Sequence, residues 1–180
     1  MADLLAQLEP LRGRRLWLLG MGNPERGDDG FGVRLARALL ERLGAEEGPV
    51  RAVDAGTSPE NWVGQAVREG CEELVLADAV DFGGSPGDLF LARATELGDR
   101  VSGASTHRVP LPVLAKYAEG LGARAWLLGV QPGSLEPRPA LSPEVNGTLE
   151  SLVEILGRAL GPGGPGEVAS PPAHGDRVAS

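Results

Sequence analysis

The sequence alternates short apolar runs with longer amphipathic stripes, and this alternation limits the fold more than any other feature. The apolar runs are too short for helices, and they lie at residues 16–19, 50–53, 74–77 and 126–130. Short apolar runs of this kind are typical of strands, and the uniformly apolar run at 16–19 predicts a strand buried on both faces of a sheet. The stripes between them repeat apolar residues every three or four positions, as one face of a helix does. The pattern predicts an α/β protein with a three-layer α/β/α sandwich.

We predict a five-stranded, twisted and mostly parallel sheet with four helices. The remaining strand lies at residues 88–93, after a turn rich in Gly and Pro at residues 83–87. Because no helix separates this strand from residues 74–77, we expect the third and fourth strands to pair antiparallel. The four helices are expected at residues 32–43, 60–67, 111–121 and 143–160.

Length favours one domain, since a chain of 180 residues usually forms a single core. We assign this domain to residues 1–160 and expect residues 161–180, which are rich in Gly and Pro and lack a periodic apolar pattern, to be disordered. The apolar runs stay far below the roughly 20 residues that span a bilayer. Asp3 and Glu9 stand where a signal peptide would be basic and then apolar. We therefore expect a cytoplasmic location.

Charge and cysteine content exclude further classes. The chain has 25 acidic and 17 basic residues, which disfavours a nucleic-acid partner because binding must neutralise phosphates. Cys71 is the only cysteine, so neither an intrachain disulfide nor a four-thiolate metal site can form. His107 and His174 are the only histidines, and His174 lies in the predicted tail. Any metal site of the domain is therefore rich in carboxylates.

Candidate functional residues follow the predicted strands. In an open α/β sheet the ligand crevice lies beyond the carboxyl ends of the strands, so the loops after the strands converge there. Four of the five loops contain an acid, and the fifth contains a histidine. The residues are Asp28, Asp29, Asp54, Asp78, His107 and Glu136. Carboxylates and an imidazole that meet in one crevice predict a metal site or an acid–base site.

A dinucleotide site is one alternative, because Gly20 and Gly22 form half of the Gly-x-Gly-x-x-Gly fingerprint. Glu25 replaces the third glycine of that motif, and its charge would repel a pyrophosphate. Asp54 lies well beyond the position, about 20 residues after the glycines, at which a ribose-binding acid stands. The chain also has no Gly-Lys-Ser/Thr sequence of a phosphate-binding loop. The glycine pattern gives nucleotide binding little support.

The candidate residues also have purely structural interpretations. Asp28 or Asp29 can cap the helix that follows, although a cap needs one acid and not two. Asp54 opens the segment 54–57 (DAGT), which forms a turn or shapes the crevice. Glu136 belongs to the rim of the crevice or to a solvated loop. Only the joint position of these residues, each in a loop beside the crevice, favours function.

Five segments stand out together: residues 20–33 (GMGNPERGDDGFGV), 54–57 (DAGT), 76–79 (LADA), 105–107 (STH) and 128–137 (LGVQPGSLEP). In this order and spacing they resemble the nickel-iron hydrogenase maturation endopeptidases. The resemblance runs from about residue 15 to residue 160. It implies a three-layer sandwich with a five-stranded sheet. It also implies an endopeptidase that removes a short C-terminal peptide from the hydrogenase large-subunit precursor once nickel has been inserted.

The resemblance implies the site residues as well. The metal-binding and catalytic positions of the family are an acid in the first loop, an acid after the third strand and a histidine before the next helix. In this sequence they correspond to Asp29, Asp78 and His107. Some members have Glu at the first position. The implied metal is nickel carried by the substrate, or another divalent ion, and the implied partner is the large-subunit precursor. We expect the enzyme to be a monomer.

Two mechanisms remain open at this stage. In the first, a metal held by two carboxylates and an imidazole polarises the scissile carbonyl or activates water. In the second, Asp29 and Asp78 share a proton and activate water as an aspartic-type pair. We favour a role for metal, because His107 has no task in the carboxylate pair. Three ligands are few for nickel, so the substrate would supply the others. The alternative function is a non-catalytic nickel- or nucleotide-binding assembly factor.

Overall fold

The computed structural model describes residues 2–43, 48–96 and 109–161. Its strands are β1 (Leu16–Met21), β2 (Val50–Gly56), β3 (Glu73–Ala79), β4 (Leu89–Arg93) and β5 (Arg124–Val130). Its helices are α1 (Ala2–Leu8), α2 (Phe31–Leu43), α3 (Glu60–Arg68), α4 (Leu111–Gly120) and α5 (Pro143–Leu160). The predicted tail lies outside the described residues, apart from Gly161 at the end of α5.

The five strands form one sheet in the order β2-β1-β3-β5-β4. The first four strands in this order run parallel, and β4 runs antiparallel to β5 at one edge. This arrangement confirms the predicted five-stranded, mostly parallel sheet. Because β1, β3 and β5 are adjacent and parallel, their carboxyl ends meet at one edge of the molecule, where a crevice is expected.

The predicted pairing of the third and fourth strands is wrong, because β4 pairs with β5. All seven residues of β3 are buried, and such a strand needs a neighbour on each side, which β1 and β5 provide. The connection from β3 to β4 crosses the end of β5. There the Gly87 amide donates to the Gln131 carbonyl (2.9 Å), and the Gln131 amide donates to the Asp88 carbonyl (2.8 Å). The glycine-rich turn is therefore part of a crossing loop and not of a hairpin.

The sequence pattern did not predict α1, which lies before β1. This helix has only seven residues, too few to show a helical period. Leu8 at its end and Leu11 in the turn that follows are both almost completely buried. Burial of these two leucines against the sheet, and not the intrinsic helix propensity of a short segment, accounts for α1.

Helices cover both faces of the sheet, as the predicted sandwich requires. On one face α1, α2 and α5 pack over one apolar cluster, and on the other face α3 and α4 pack over a second cluster. Cys71 is buried in the second cluster. None of the helices in the described ranges is long and apolar enough to cross a membrane.

Helix α2 touches the sheet through backbone atoms at its first turn. A Cβ atom on Gly32 would lie 2.0 Å from the Ala77 carbonyl oxygen, and one on Gly20 would lie 2.0 Å from the Gly32 carbonyl oxygen. No side chain larger than hydrogen fits at either position. The start of α2 is therefore fixed against β1 and β3, next to the carboxyl ends of both strands.

This contact predicts that Gly32→Ala destabilises the protein by about 3 kcal/mol, because the added methyl group must displace backbone of a buried strand. The measurement is the free energy of unfolding in urea. Gly147→Ala is the control, since a Cβ there would meet nothing within 4 Å, and it should raise stability by about 0.5 kcal/mol. A Gly32→Ala protein as stable as the control would contradict the backbone contact.

A second prediction concerns Cys71. Burial raises the pKa of its thiol to about 11, and the thiol donates to the Glu73 carbonyl oxygen (3.1 Å). Because a raised pKa keeps the thiol protonated at pH 8, the reactive thiolate is scarce in the folded protein. We expect a thiol-specific reagent to modify native Cys71 at least about 100-fold more slowly than the same residue in urea. Equal rates in the two states would exclude this environment.

Candidate active site

The first loop, residues 22–30, begins at Gly22, where a close backbone contact leaves no room for a side chain. Gly22 has a φ of 116°, a conformation that favours glycine. A Cβ atom on Gly22 would lie 1.7 Å from the Asp29 carbonyl oxygen. The Gly20-x-Gly22 pattern therefore lets the loop fold back onto the end of β1. The close contact, and not a phosphate, accounts for the glycines that resemble half of a dinucleotide motif.

Asp29 lies in a short 3₁₀ turn, Gly27–Gly30, directly before α2. It is 3% exposed, and its Oδ2 accepts a hydrogen bond from the Asn23 amide (2.8 Å). The Asp29 amide donates to the Arg26 carbonyl oxygen (3.1 Å). The carboxylate thus receives a donor from its own loop, before the helix begins. Both the backbone and the side chain of Asp29 are held in place.

Asp78 is the second-last residue of β3, the strand that pairs directly with β1. It is 1% exposed, and its Oδ1 accepts from the Ala79 amide (2.9 Å). The sequence placed Asp78 after the strand, whereas β3 continues to Ala79. The contact of Gly32 with Ala77 brings the start of α2 beside Asp78. Asp29 and Asp78 therefore lie at the carboxyl ends of adjacent strands, as predicted.

His107, the third predicted site residue, falls between residues 96 and 109 and so outside the described part of the chain. Within the ranges that are described, no group of three or more His, Cys, Asp or Glu side chains can hold a metal ion. Asp29 and Asp78 alone do not make such a group. A metal site at this position therefore needs ligands from outside the described ranges, and His107 is the predicted one.

Asp28 has a structural role that the sequence did not indicate. It is completely buried, and its carboxylate accepts four hydrogen bonds from the last loop, residues 131–142. The donors are the amides of Gly133 (2.8 Å), Ser134 (2.9 Å) and Ser142 (2.6 Å) and the Ser142 hydroxyl (2.8 Å). Burial raises the pKa of Asp28, but the bonds from Ser142, Ser134 and Gly133 outweigh it and leave the pKa below its usual value. The interpretation of Asp28 as a helix cap is wrong.

Gln131, the first residue of the last loop, joins this loop to the loop that follows β3. Its side-chain Oε1 accepts from the amides of Phe82 (3.0 Å) and Gly84 (3.1 Å), and its Nε2 donates to Asp81 Oδ1 (3.1 Å). Phe82 and Gly84 belong to the loop that follows Asp78. Gln131 is mostly buried, so these bonds are shielded from water and fix the loop after β3 to the end of β5.

The remaining candidates lie near the surface. Asp54 Oδ1 accepts from the Gly56 amide (3.1 Å), and Oδ2 pairs with Arg37 (2.7 Å). Gly56 has a φ of 54°. Asp54, Ala55 and Gly56 belong to β2, and only Thr57 lies in a turn, so the interpretation of segment 54–57 as a turn is wrong. Its role in shaping the crevice stays a prediction. Glu136 is exposed on the last loop, a position suited to a rim and not to a buried reaction centre.

Comparison with known proteins decides among the functions that this geometry allows. The family model described as "Hydrogenase maturation protease" matches residues 33–159. The chain belongs to the hydrogenase maturation protease family. The matched range contains Asp78 and His107, whereas Asp29 lies just before it.

Individual relatives agree with this family. The hydrogenase expression/formation protein HoxM of Azotobacter vinelandii is 34% identical over 151 residues, which cover 76% of this chain and 72% of HoxM. The hydrogenase 2 maturation protease of Escherichia coli K12 is 30% identical over 151 residues, 81% of this chain and 90% of that protein. The crystal structure of the [NiFe] hydrogenase maturation protease HycI from Thermococcus kodakarensis KOD1 has a TM-score of 0.74 at 32% identity. It covers 88% of this chain and 98% of HycI.

These matches confirm the family, the fold and the function predicted from the sequence, a hydrogenase maturation protease. They do not support the alternative of a non-catalytic assembly factor. The site residues and the catalytic type remain predictions.

A third prediction concerns the loop contacts of this hydrogenase maturation protease. Gln131→Ala leaves the amides of Phe82 and Gly84 without their acceptor, and we expect it to lower stability by about 2 kcal/mol. Gln65→Ala is the control, because the Gln65 side chain donates to Glu69 Oε1 on the surface of α3, and such pairs contribute about 0.5 kcal/mol or less. Urea unfolding measures both. Equal effects would contradict the role of Gln131 in fixing the loop.

Proposed function

We propose that this chain is a cytoplasmic endopeptidase that removes the C-terminal extension of a nickel-iron hydrogenase large-subunit precursor after nickel insertion. Asp29, Asp78 and His107 form its reaction centre in this proposal. The observation that carries it is the burial of two carboxylates, 3% and 1% exposed, at the carboxyl ends of adjacent central strands. Parallel sheets place ligand sites at this edge, and the membership of the family supplies the reaction.

The donor set suits a divalent ion that arrives with the substrate. Two carboxylates and one imidazole supply oxygen and nitrogen ligands of the kind that divalent first-row metals accept. Three ligands leave further positions for atoms of the precursor. In this proposal nickel is part of the substrate, and it would polarise the scissile carbonyl when it is bound. A precursor without nickel lacks this ion, so cleavage would depend on whether nickel has been inserted.

The residues of the chain itself supply positioning and proton transfer. A buried carboxylate within hydrogen-bond reach of a water molecule can take up the proton of that water as it attacks the peptide carbonyl, and can then return it to the leaving amine. Asp29 and Asp78 are the two candidates, and the backbone bonds from Asn23 and Ala79 orient them. His107 completes the ligand set. This division of roles gives each of the three residues a task.

The test is cleavage of purified precursor, followed by mass spectrometry of its C-terminus. We expect the chain to shorten nickel-loaded precursor and to leave nickel-free precursor intact. Equal cleavage of both forms would refute nickel sensing, and cleavage of neither would refute the proposed activity on this precursor.

A matched pair of variants tests the histidine. His107→Ala should lower the cleavage rate by about 100-fold or more, because it removes a ligand from the reaction centre. His174→Ala is the control, since it changes the other histidine of the chain, and its rate should equal that of the unmodified protein. Circular dichroism verifies that both variants are folded. If His107→Ala retains full activity, His107 is not part of the site.

A further inference from the structure

We propose that Asp28 is a positioning residue for the reaction. Its carboxylate fixes the first loop to the last loop, and this bond network sets the position of the Asp29 carboxylate. The inference rests on the proposed function, because it assigns Asp28 a task in the same reaction centre. In this proposal Asp28 acts through Asp29 and does not itself contact the substrate.

The bonds of Asp28 connect two loops that follow different strands. The first loop follows β1 and the last loop follows β5, and β3 lies between these strands in the sheet. Both oxygens of the carboxylate are used: Oδ2 accepts from Gly133, Ser134 and the Ser142 hydroxyl, and Oδ1 accepts from the Ser142 amide. A buried carboxylate with four donors is a strong, directional link. It spans the end of the strand that carries Asp78.

Backbone hydrogen bonds extend this link on both sides of the turn. The Asp28 amide donates to the Ser134 carbonyl (3.0 Å), and the Gly27 amide donates to the Arg138 carbonyl (2.8 Å). The Arg138 amide donates in return to the Glu25 carbonyl (3.0 Å). Glu25, Gly27 and Asp28 of the first loop are thus all bonded to the last loop. The Asp28 side chain makes four of these bonds.

Asp29 is the next residue in the same 3₁₀ turn. The Asp28 side chain binds the last loop, and the Asp29 side chain binds the Asn23 amide within the first loop. The turn is therefore held by consecutive side chains with different partners, and Asp29 cannot shift far unless Asp28 loses its bonds. Because a misplacement of about 1 Å at a reaction centre can cost 100-fold in rate, loss of the Asp28 bonds should affect turnover.

Two variants remove these bonds to different extents. Asp28→Asn keeps the size of the side chain, but its amide group places N–H donors where the loop also presents donors. Ser142→Ala removes only the hydroxyl donor and keeps the carboxylate with its three amide bonds. The second variant is the milder one, and it tests the inference if Asp28→Asn does not fold.

Glu73→Gln is the matched control. Glu73 is also a completely buried acid. It accepts from Trp126 Nε1 (2.7 Å) and pairs with Arg124. It begins β3, at the end of the strand opposite to Asp78. The control variant therefore destabilises the fold through a buried acid without changing the loops around Asp29.

The kinetic test compares the four proteins on nickel-loaded precursor at a temperature at which all are folded. For Asp28→Asn we expect kcat to fall by about tenfold or more with KM changed by less than about threefold, and for Ser142→Ala kcat should fall by about two- to fivefold. Glu73→Gln should keep kcat within about twofold of the unmodified protein despite its lower Tm. If Asp28→Asn keeps its kcat, or if Glu73→Gln loses as much, the positioning role is refuted.

A second readout does not depend on proteolysis. The Asn23 amide donates to Asp29 Oδ2, so its hydrogen exchange reports how firmly the Asp29 carboxylate is held. We expect exchange at Asn23 to be about tenfold faster in Asp28→Asn, with a smaller increase in Ser142→Ala and none in Glu73→Gln. An unchanged rate in both loop variants refutes the inference even if the precursor is cleaved. If no precursor is cleaved but exchange increases, the proposed function fails and the positioning of Asp29 stands.

Discussion

The architecture of the proposed reaction centre depends on one contact, the backbone packing of the start of α2 on β1 and β3. Gly32 lies against the Ala77 carbonyl, and Gly20 lies against Gly32, at distances that admit no side chain. The contact is strong because it brings the first turn of a helix onto two central strands of a close-packed sheet. It also sets the position of the loop before the helix, since Asp29 lies only three residues before Gly32. A single methyl group at this contact would move the loop and the strand end together.

The glycines of this region show why part of the fold could be predicted and part could not. Apolar runs and stripes indicated the strands, the helices and the sandwich, because burial on both faces leaves a clear trace in sequence. Gly20 and Gly22 were ambiguous, since close backbone approach and phosphate binding require the same residue type. The partner of β4 was not predictable from a local turn. It depends on which strand occupies the centre of the sheet, and the chain supplies β5 only after a long connection.

Some residues of the candidate site could likewise be predicted from the sequence, and others could not. The convergence of loops at the carboxyl ends of parallel strands was enough to make Asp29, Asp78 and His107 candidates, together with three other acids. The choice of these three residues required the resemblance to a family. The task of Asp28 was hidden, because its donors lie 105 to 114 residues later in the chain. Two adjacent acids gave the only local signal, since a helix cap needs one. Gln131 was hidden for the same reason, with partners about 50 residues away.

The two adjacent acids illustrate how a buried site can hold more carboxylates than its chemistry uses. A carboxylate buried without donors would tend to protonate. Asp28 avoids this because four donors stabilise its charged form and lower its pKa. The Asp28 carboxylate thereby binds the last loop through both of its oxygens. In the proposed reaction centre, Asp29 acts together with Asp78, which lies on the strand that pairs with β1. In the proposed centre, Asp28 therefore positions the turn, and the neighbouring Asp29 takes part in the reaction.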